Sequence, residues 1–233
     1  MQPSLPPLGP VAWHRFATLA DASEALAEAV AIRLRALLAG QGRASLAVPG
    51  GTTPARFLAA LGTRDLAWDK VTLLPTDERF VTADDPASNE HMIRGQFAPL
   101  REGRVGFLSF HGRGQDIEAA AAALASELAS QPPLDLVVSG MGTDGHIASL
   151  FPGKEERFSA MPDSGICIAT PPGLPPRLSL SPARLAGAGW ASLLVSGREK
   201  EAVLKAALGR PAPLPVDILL DRPQGLDVYW AKE

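Results

Sequence analysis

No intrachain disulfide can form in this chain, because its 233 residues include one cysteine, Cys167. A protein without disulfides fits a reducing cytosol, so a cytoplasmic location is the expectation. Cys167 lies in the apolar run "GICIAT" and reads as a small buried hydrophobe. Histidine is also scarce: His14, His91, His111 and His146 are scattered, and no Cys/His cluster has metal-ligand spacing. No apolar run approaches the roughly 18 residues of a membrane helix. The first ten residues, "MQPSLPPLGP", lack the basic start and apolar centre of a secretory signal and read as an extended lead-in. Excess positive charge is missing too. A net charge of -3 argues against a broad nucleic-acid footprint and still permits a local pocket for a small anion.

What is present suits a globular protein with a full core: 46% hydrophobic and 20% charged residues, with no composition break and no internal repeat. One domain over residues 1–233 is expected. Strand-like runs occur at 44–48, 70–74, 104–108, 134–139, 165–170, 177–181, 192–196, 216–220 and 226–231. Several are apolar almost throughout, as in a sheet covered on both faces. Helical patterns fall between them, at 21–38 with Asp21 as cap, 54–61 opening on Pro54, 116–130 and 198–208. The alternation predicts an α/β fold, Rossmann-like, with a mainly parallel sheet flanked by helices. "RLSLSP" reads as an antiparallel addition. Ligands of such sheets bind beyond the carboxyl ends of the strands, so the loops there carry the interest.

Four loops qualify. "VPGGTTP" (48–54) joins a strand to a helix; its glycine amides, Thr52, Thr53 and the helix N-terminus could cradle an anion, or form only a tight turn. "LLPTDERFV" (73–81) delivers Asp77, Glu78 and Arg79 to a strand's end, facing a cleft or solvent. In the "SNEHMIR" that follows, Ser88 or Asn89 reads as a helix cap and His91 as a surface residue. "SGMGTDGHIASLFP" (139–152) carries Gly140, Gly142 and Gly145, then His146 where a helix is expected to start. Its match to a dinucleotide fingerprint is formal only, because the next strand lacks an acid for a ribose. Asp144 could orient His146 as a proton acceptor, or merely cap a helix. Arg177, Arg198 and Lys200 put cations at two further strand ends, suited to a phosphate.

"VPGGTTP", "TDERFV" with "SN", "GMGTDGHIASLFPG", "RLSLSP" and "SGREK" occur in an order that resembles the 6-phosphogluconolactonase and glucosamine-6-phosphate isomerase family over nearly the whole chain. The resemblance implies the α/β fold of the deaminase relatives, no cofactor and no metal. It implies hydrolysis of 6-phospho-D-glucono-1,5-lactone in the oxidative pentose phosphate pathway. His146 would be the base, with Asp144 beside it. Gly50, Gly51 and Thr52 would hold the phosphate, with charge from Arg177 and Lys200, and Arg79 would be a further substrate or phosphate contact. Thr143 and Ile147 depart from the family pattern, and Ile147 removes any hydroxyl contact made there by a threonine. A small sugar phosphate is the expected partner, without nucleic acid or membrane, and the expected state is a monomer or weak homo-oligomer. Alternatives are a deaminase-like isomerase and a non-catalytic sugar-phosphate sensor. The segment after His146 carries no acid before Glu155, which favours the lactonase.

Overall fold

The computed structural model describes residues 8–153, 165–171, 173–209 and 213–233. Residues 1–7 of the expected lead-in, and Glu155, lie outside them.

Among the described residues ten strands form two sheets. They are β1 (Val11–Phe16), β2 (Ala44–Val48), β3 (Val71–Pro75), β4 (Asp77–Arg79), β5 (Gly106–Phe107), β6 (Leu136–Ser139), β7 (Ile166–Ala169), β8 (Arg177–Leu180), β9 (Trp190–Ser196) and β10 (Leu226–Ala231). The larger sheet runs β1-β10-β9-β6-β2-β3-β5, parallel at every pairing. The smaller is antiparallel, β4-β8-β7. The helices are α1 (Leu19–Gln41), α2 (Thr52–Gly62), α3 (Asn89–Gln96), α4 (Ala98–Arg101), α5 (Ile117–Ala129), α6 (Pro182–Ala186), α7 (Arg198–Gly209) and α8 (Asp217–Leu220).

The apolar strands divide the core in two. Successive side chains of a strand point to opposite faces. Ala47 therefore enters one hydrophobic cluster with Leu124 of α5 and Leu204 of α7. Its neighbours Leu46 and Val48 enter the other, with Leu26 and Leu34 of α1 and Phe57 of α2. This two-sided covering explains why β2 and β9 read as continuous apolar runs.

Several expectations need correction. Residues 216–220 form the helical turn α8, not a strand; Val216, Leu219 and Leu220 have i, i+3, i+4 spacing and are all fully buried. The Asp217 carboxylate also accepts the Leu214 amide, closing the turn before it. The first helix starts earlier than predicted, capped by Thr18, whose hydroxyl accepts the Asp21 amide and donates to the Asp21 carboxylate. α2 begins at Thr52, two residues before Pro54, which falls in the first turn where its missing N–H costs nothing. Asp77–Arg79 is a strand in its own right, paired with β8, and β7 belongs to the small sheet. β1 was not anticipated, because "VAWHRF" is an edge strand half in water with no apolar run. "RLSLSP" is antiparallel, as predicted.

Leu46→Ala should cost about 2–5 kcal/mol of unfolding free energy, because its side chain is completely enclosed beneath α1 and α2. Urea denaturation measures this; a loss under about 1 kcal/mol would contradict the packing described.

Candidate active site

In the large sheet β9, β6, β2 and β3 are neighbours, all pointing the same way. After β2 the chain moves to β3 on one side, and after β6 it reaches β9 on the other. Loops leaving β2 and β6 therefore diverge and leave a crevice between them. A cleft of about 290 Å³ occupies that place. It is lined by Gly50, Gly51, Thr52, Arg79, His146, Arg177 and Lys200, seven of the eight residues singled out from sequence. The eighth, Asp144, touches the imidazole of His146.

The turn after β2 brings backbone to one wall. A β-carbon on Gly50 would lie 1.8 Å from Oδ1 of Asn89, so only glycine fits there. The N-terminus of α2 has no side-chain cap. Its first-turn amides are left for an anion, beside the exposed Thr52. Lys200, in the first turn of α7, lines the same cleft; burial pushes its ammonium below the usual lysine range, against a smaller opposing pull from Glu199.

The small sheet brings two further cations. Arg79 of β4 lies opposite Arg177 of β8. Arg79 donates from Nη1 to the Ala87 carbonyl. The Nε atoms of both arginines are buried without a hydrogen-bond partner among the described residues. Burial and then the neighbouring Arg79 lower the Arg177 pKa, with Asp77 acting the other way. An anion in the cleft would relieve this crowding of positive charge.

The loop after β6 carries the imidazole. Nδ1 of His146 is 2.6 Å from Oδ1 of Asp144, which also accepts the His146 amide at 3.1 Å. A β-carbon on Gly142 would come within 2.2 Å of the His146 ring, so the ring packs over a bare backbone. Burial raises the Asp144 carboxyl pKa, but the His146 amide and ring outweigh that and hold it below the ordinary range. The carboxylate occupies Nδ1 and leaves Nε2 for the cleft. The helix expected to start at His146 is absent; residues 147–150 make a tight turn, with the Leu150 amide donating to the Ile147 carbonyl at 2.9 Å. Asp144 thus orients the imidazole instead of capping a helix. The Phe151 ring lies 4.9 Å from that of His146, and the Arg177 guanidinium lies 5.5 Å from the Phe151 ring.

Sequence reasoning gave no role at the site to Asp77 or Ser149 and offered Asn89 only as a helix cap. Asp77 and Asn89 line the cleft. Ser149 is fully buried and donates to Asp77 at 2.5 Å. Asp77 was visible only as one of three adjacent charges, and Ser149 only as part of "IASLFP". Glu78 is also buried: its carboxylate accepts the amides of Arg79, Asn89 and Glu90, the Ser88 hydroxyl and a contact from Nε2 of His111 at 3.1 Å. Ser88, not Asn89, caps α3 by accepting the His91 amide. His91 is exposed, as expected, and burial pushes the Cys167 thiol up to about 11.

The arrangement defines a class: an open α/β protein with a glycine turn at an uncapped helix N-terminus, a cluster of cations and a carboxylate-held imidazole at one rim of a parallel sheet. The chain belongs to the glucosamine-6-phosphate isomerases/6-phosphogluconolactonase family, whose profile matches residues 17–230. It is 37% identical over 225 residues to the 6-phosphogluconolactonase of Mesorhizobium japonicum, covering 94% of each chain. It is 38% identical over 226 residues to that of Rhizobium meliloti, covering 94% of this chain and 97% of the other. The crystal structure of a 6-phosphogluconolactonase from Shewanella baltica superposes with a TM-score of 0.88 at 30% identity, over 96% of this chain and 99% of that one.

The Glu78–His111 contact predicts a pH-dependent stability. Burial opposes ionisation of Glu78, but hydrogen bonds from His111 and three amides overcome it and lower its pKa. The Glu78 hydrogen bond raises the His111 pKa, against desolvation. The Glu78 contribution exists above the ordinary carboxylate pKa and is lost as pH falls through the lowered value. The His111 contribution exists below the ordinary imidazole pKa and is lost as pH rises through the raised value. The stability difference between wild type and His111→Gln should therefore be largest near about pH 5.5–6 and shrink towards about pH 9. Thermal melts across pH test this; a flat difference refutes it.

Proposed function

We propose that this protein hydrolyses 6-phospho-D-glucono-1,5-lactone to 6-phospho-D-gluconate, with His146 activating the attacking water. The observation that carries the reading is the Asp144-held imidazole in the same cleft as the α2 N-terminus and Lys200. The relatives described above, which bear the lactonase name over nearly their full length, support it.

In this reading the phosphate lies against Gly50, Gly51 and Thr52, with Lys200 and Arg177 supplying charge and Arg79 making a further contact. Anchoring one end of the substrate brings C1 to the imidazole and removes much of the entropic cost of reaction. His146 takes a proton from water as the oxygen bonds to C1, and the carbonyl electrons move onto its oxygen. The tetrahedral oxyanion needs donors, which amides of the 140–145 loop or Arg79 can supply. The intermediate collapses, the C1–ring oxygen bond breaks, and the imidazolium returns its proton to the departing oxygen. Asp144 stabilises the imidazolium between these steps. No step calls for a metal or organic cofactor. The protein acts alone or as a weak homo-oligomer in the cytoplasm, as one domain; no described helix is long and apolar enough to cross a membrane.

His146→Ala should lower turnover by roughly 10²-fold or more. Near wild-type activity in a lactonase assay corrected for spontaneous hydrolysis would remove this assignment. Lys200→Ala should raise KM for the phosphorylated lactone by the equivalent of about 1.5–3 kcal/mol, with a smaller change in kcat. If wild type used unphosphorylated gluconolactone equally well, the phosphate cradle would be wrong. Ammonia release from glucosamine 6-phosphate by the same preparation would indicate the isomerase branch, and inactivity in both assays a sensor.

A further inference from the structure

Beyond the residues that face the reaction, the structure contains a buried device that shapes the His146 loop. Ala148 has φ of 47°, and among the described residues it is the one non-glycine with positive φ. An L side chain resists this left-handed conformation, which persists only where the surroundings impose it. The strained residue lines the cleft two positions after the imidazole.

The next residue shows what imposes it. Ser149 is fully buried, and its hydroxyl and amide are both held by the small sheet. Its hydroxyl donates to Oδ2 of Asp77 at 2.5 Å, and its amide donates to the Ser179 hydroxyl at 3.2 Å. Asp77 and Ser179 are register partners across β4 and β8, so the two anchors share one rigid rung. Asp77 is tied down in turn: the Asn89 carboxamide donates to its carbonyl at 2.7 Å and to Oδ1 at 3.3 Å, and the Thr76 hydroxyl donates to Oδ1 at 3.2 Å. Asn89 is the residue packed against Gly50 at the anion turn.

We infer that Asp77 is a positioning residue for the proposed hydrolysis: through Ser149 it holds Ala148 in its left-handed conformation and so keeps the His146 imidazole aimed into the cleft. The inference rests on the reading of His146 as the base. The Asp77 carboxylate accepts hydrogen bonds from Ser149, Thr76 and Asn89. The charged groups acting on it are Arg79 on its own strand, Arg177 on β8 and the adjacent Glu78. Through Asn89 the same carboxylate links the anion turn to the base loop, so the two ends of the cleft keep a constant separation.

The test is a rescue. Ser149→Ala removes the anchoring hydroxyl with little change of volume. It should lower kcat for 6-phospho-D-glucono-1,5-lactone by about 10-fold or more, since a shift of about 1 Å in a reacting group can cost about 10²-fold. KM should stay within about twofold of wild type, because the anion turn is untouched. Adding Ala148→Gly to Ser149→Ala should restore most of the lost kcat, because glycine adopts the left-handed conformation without being forced. Ser149→Cys, nearly the same size and a weak donor, provides the same comparison if Ser149→Ala folds poorly. A separate readout is the ¹⁵N spectrum of the His146 ring, which should shift in Ser149→Ala and return in the double variant. An unchanged kcat in Ser149→Ala overturns the inference. So does a parallel change of kcat and KM that Ala148→Gly does not rescue, the mark of general destabilisation. Absence of lactonase activity in wild type would instead defeat the proposed function, and the ring spectrum would still decide the positioning role.

Discussion

Asp77 and Glu78 are adjacent on one short strand, both almost fully buried, and together they hold the rim of the cleft. Strand alternation sends their carboxylates opposite ways. Asp77 collects donors from the loop after β6 and from Asn89. Glu78 collects the first amides of α3, the Ser88 hydroxyl and His111. A buried carboxylate is costly unless its lone pairs are filled. Each of these two is filled by groups from other segments, so the cost of removing charge from water is offset only when those segments are in place. The requirement makes the rim cooperative: α3, the turn after β2, the loop after β6 and the small sheet must all assemble around the pair.

The cleft itself has the opposite character. Two arginines face each other across a strand pair, each with a buried Nε that lacks a partner among the described residues, and Lys200 is pressed below its usual range by burial. Positive groups held close together in partial burial oppose folding. An anion among them would offset this repulsion. The buried carboxylates beneath anchor the scaffold that carries these cations and also lower the local potential. Asp77 opposes the downward shift of Arg177. Two layers result, with hydrogen-bonded carboxylates below and partly buried cations above.

Much of this was legible in the chain. Runs such as "ASLAV" and "SLLVS" are apolar at consecutive positions because helices cover both sheet faces, and they identified parallel strands correctly. Asp116 before an alanine-rich stretch marked the start of α5, as a side chain accepting the Ala119 amide should. The failures have physical causes. "VDILL" reads as a strand because a short apolar run fits either period, and its burial, the Asp217–Leu214 hydrogen bond and docking against Gly145 favour a helical turn. "VAWHRF" was passed over because an edge strand is half in water. A helix start at His146 gives way to a tight turn, and of the two roles open to Asp144 the contact with the imidazole is the one observed.

What the sequence determined by itself was the set of chemical groups and the strand ends that carry them: glycines that permit close approach, cations, an imidazole and its carboxylate. These follow from local spacing, and local spacing survives without knowledge of the fold. What only the tertiary structure decided was which of these groups share a cleft, and how Asp77, Asn89 and Ser149 brace them. Those three come together across separations of up to 72 residues. A polar side chain has no periodic signature that reveals a distant partner, so its role appears only when the sheets bring the two together.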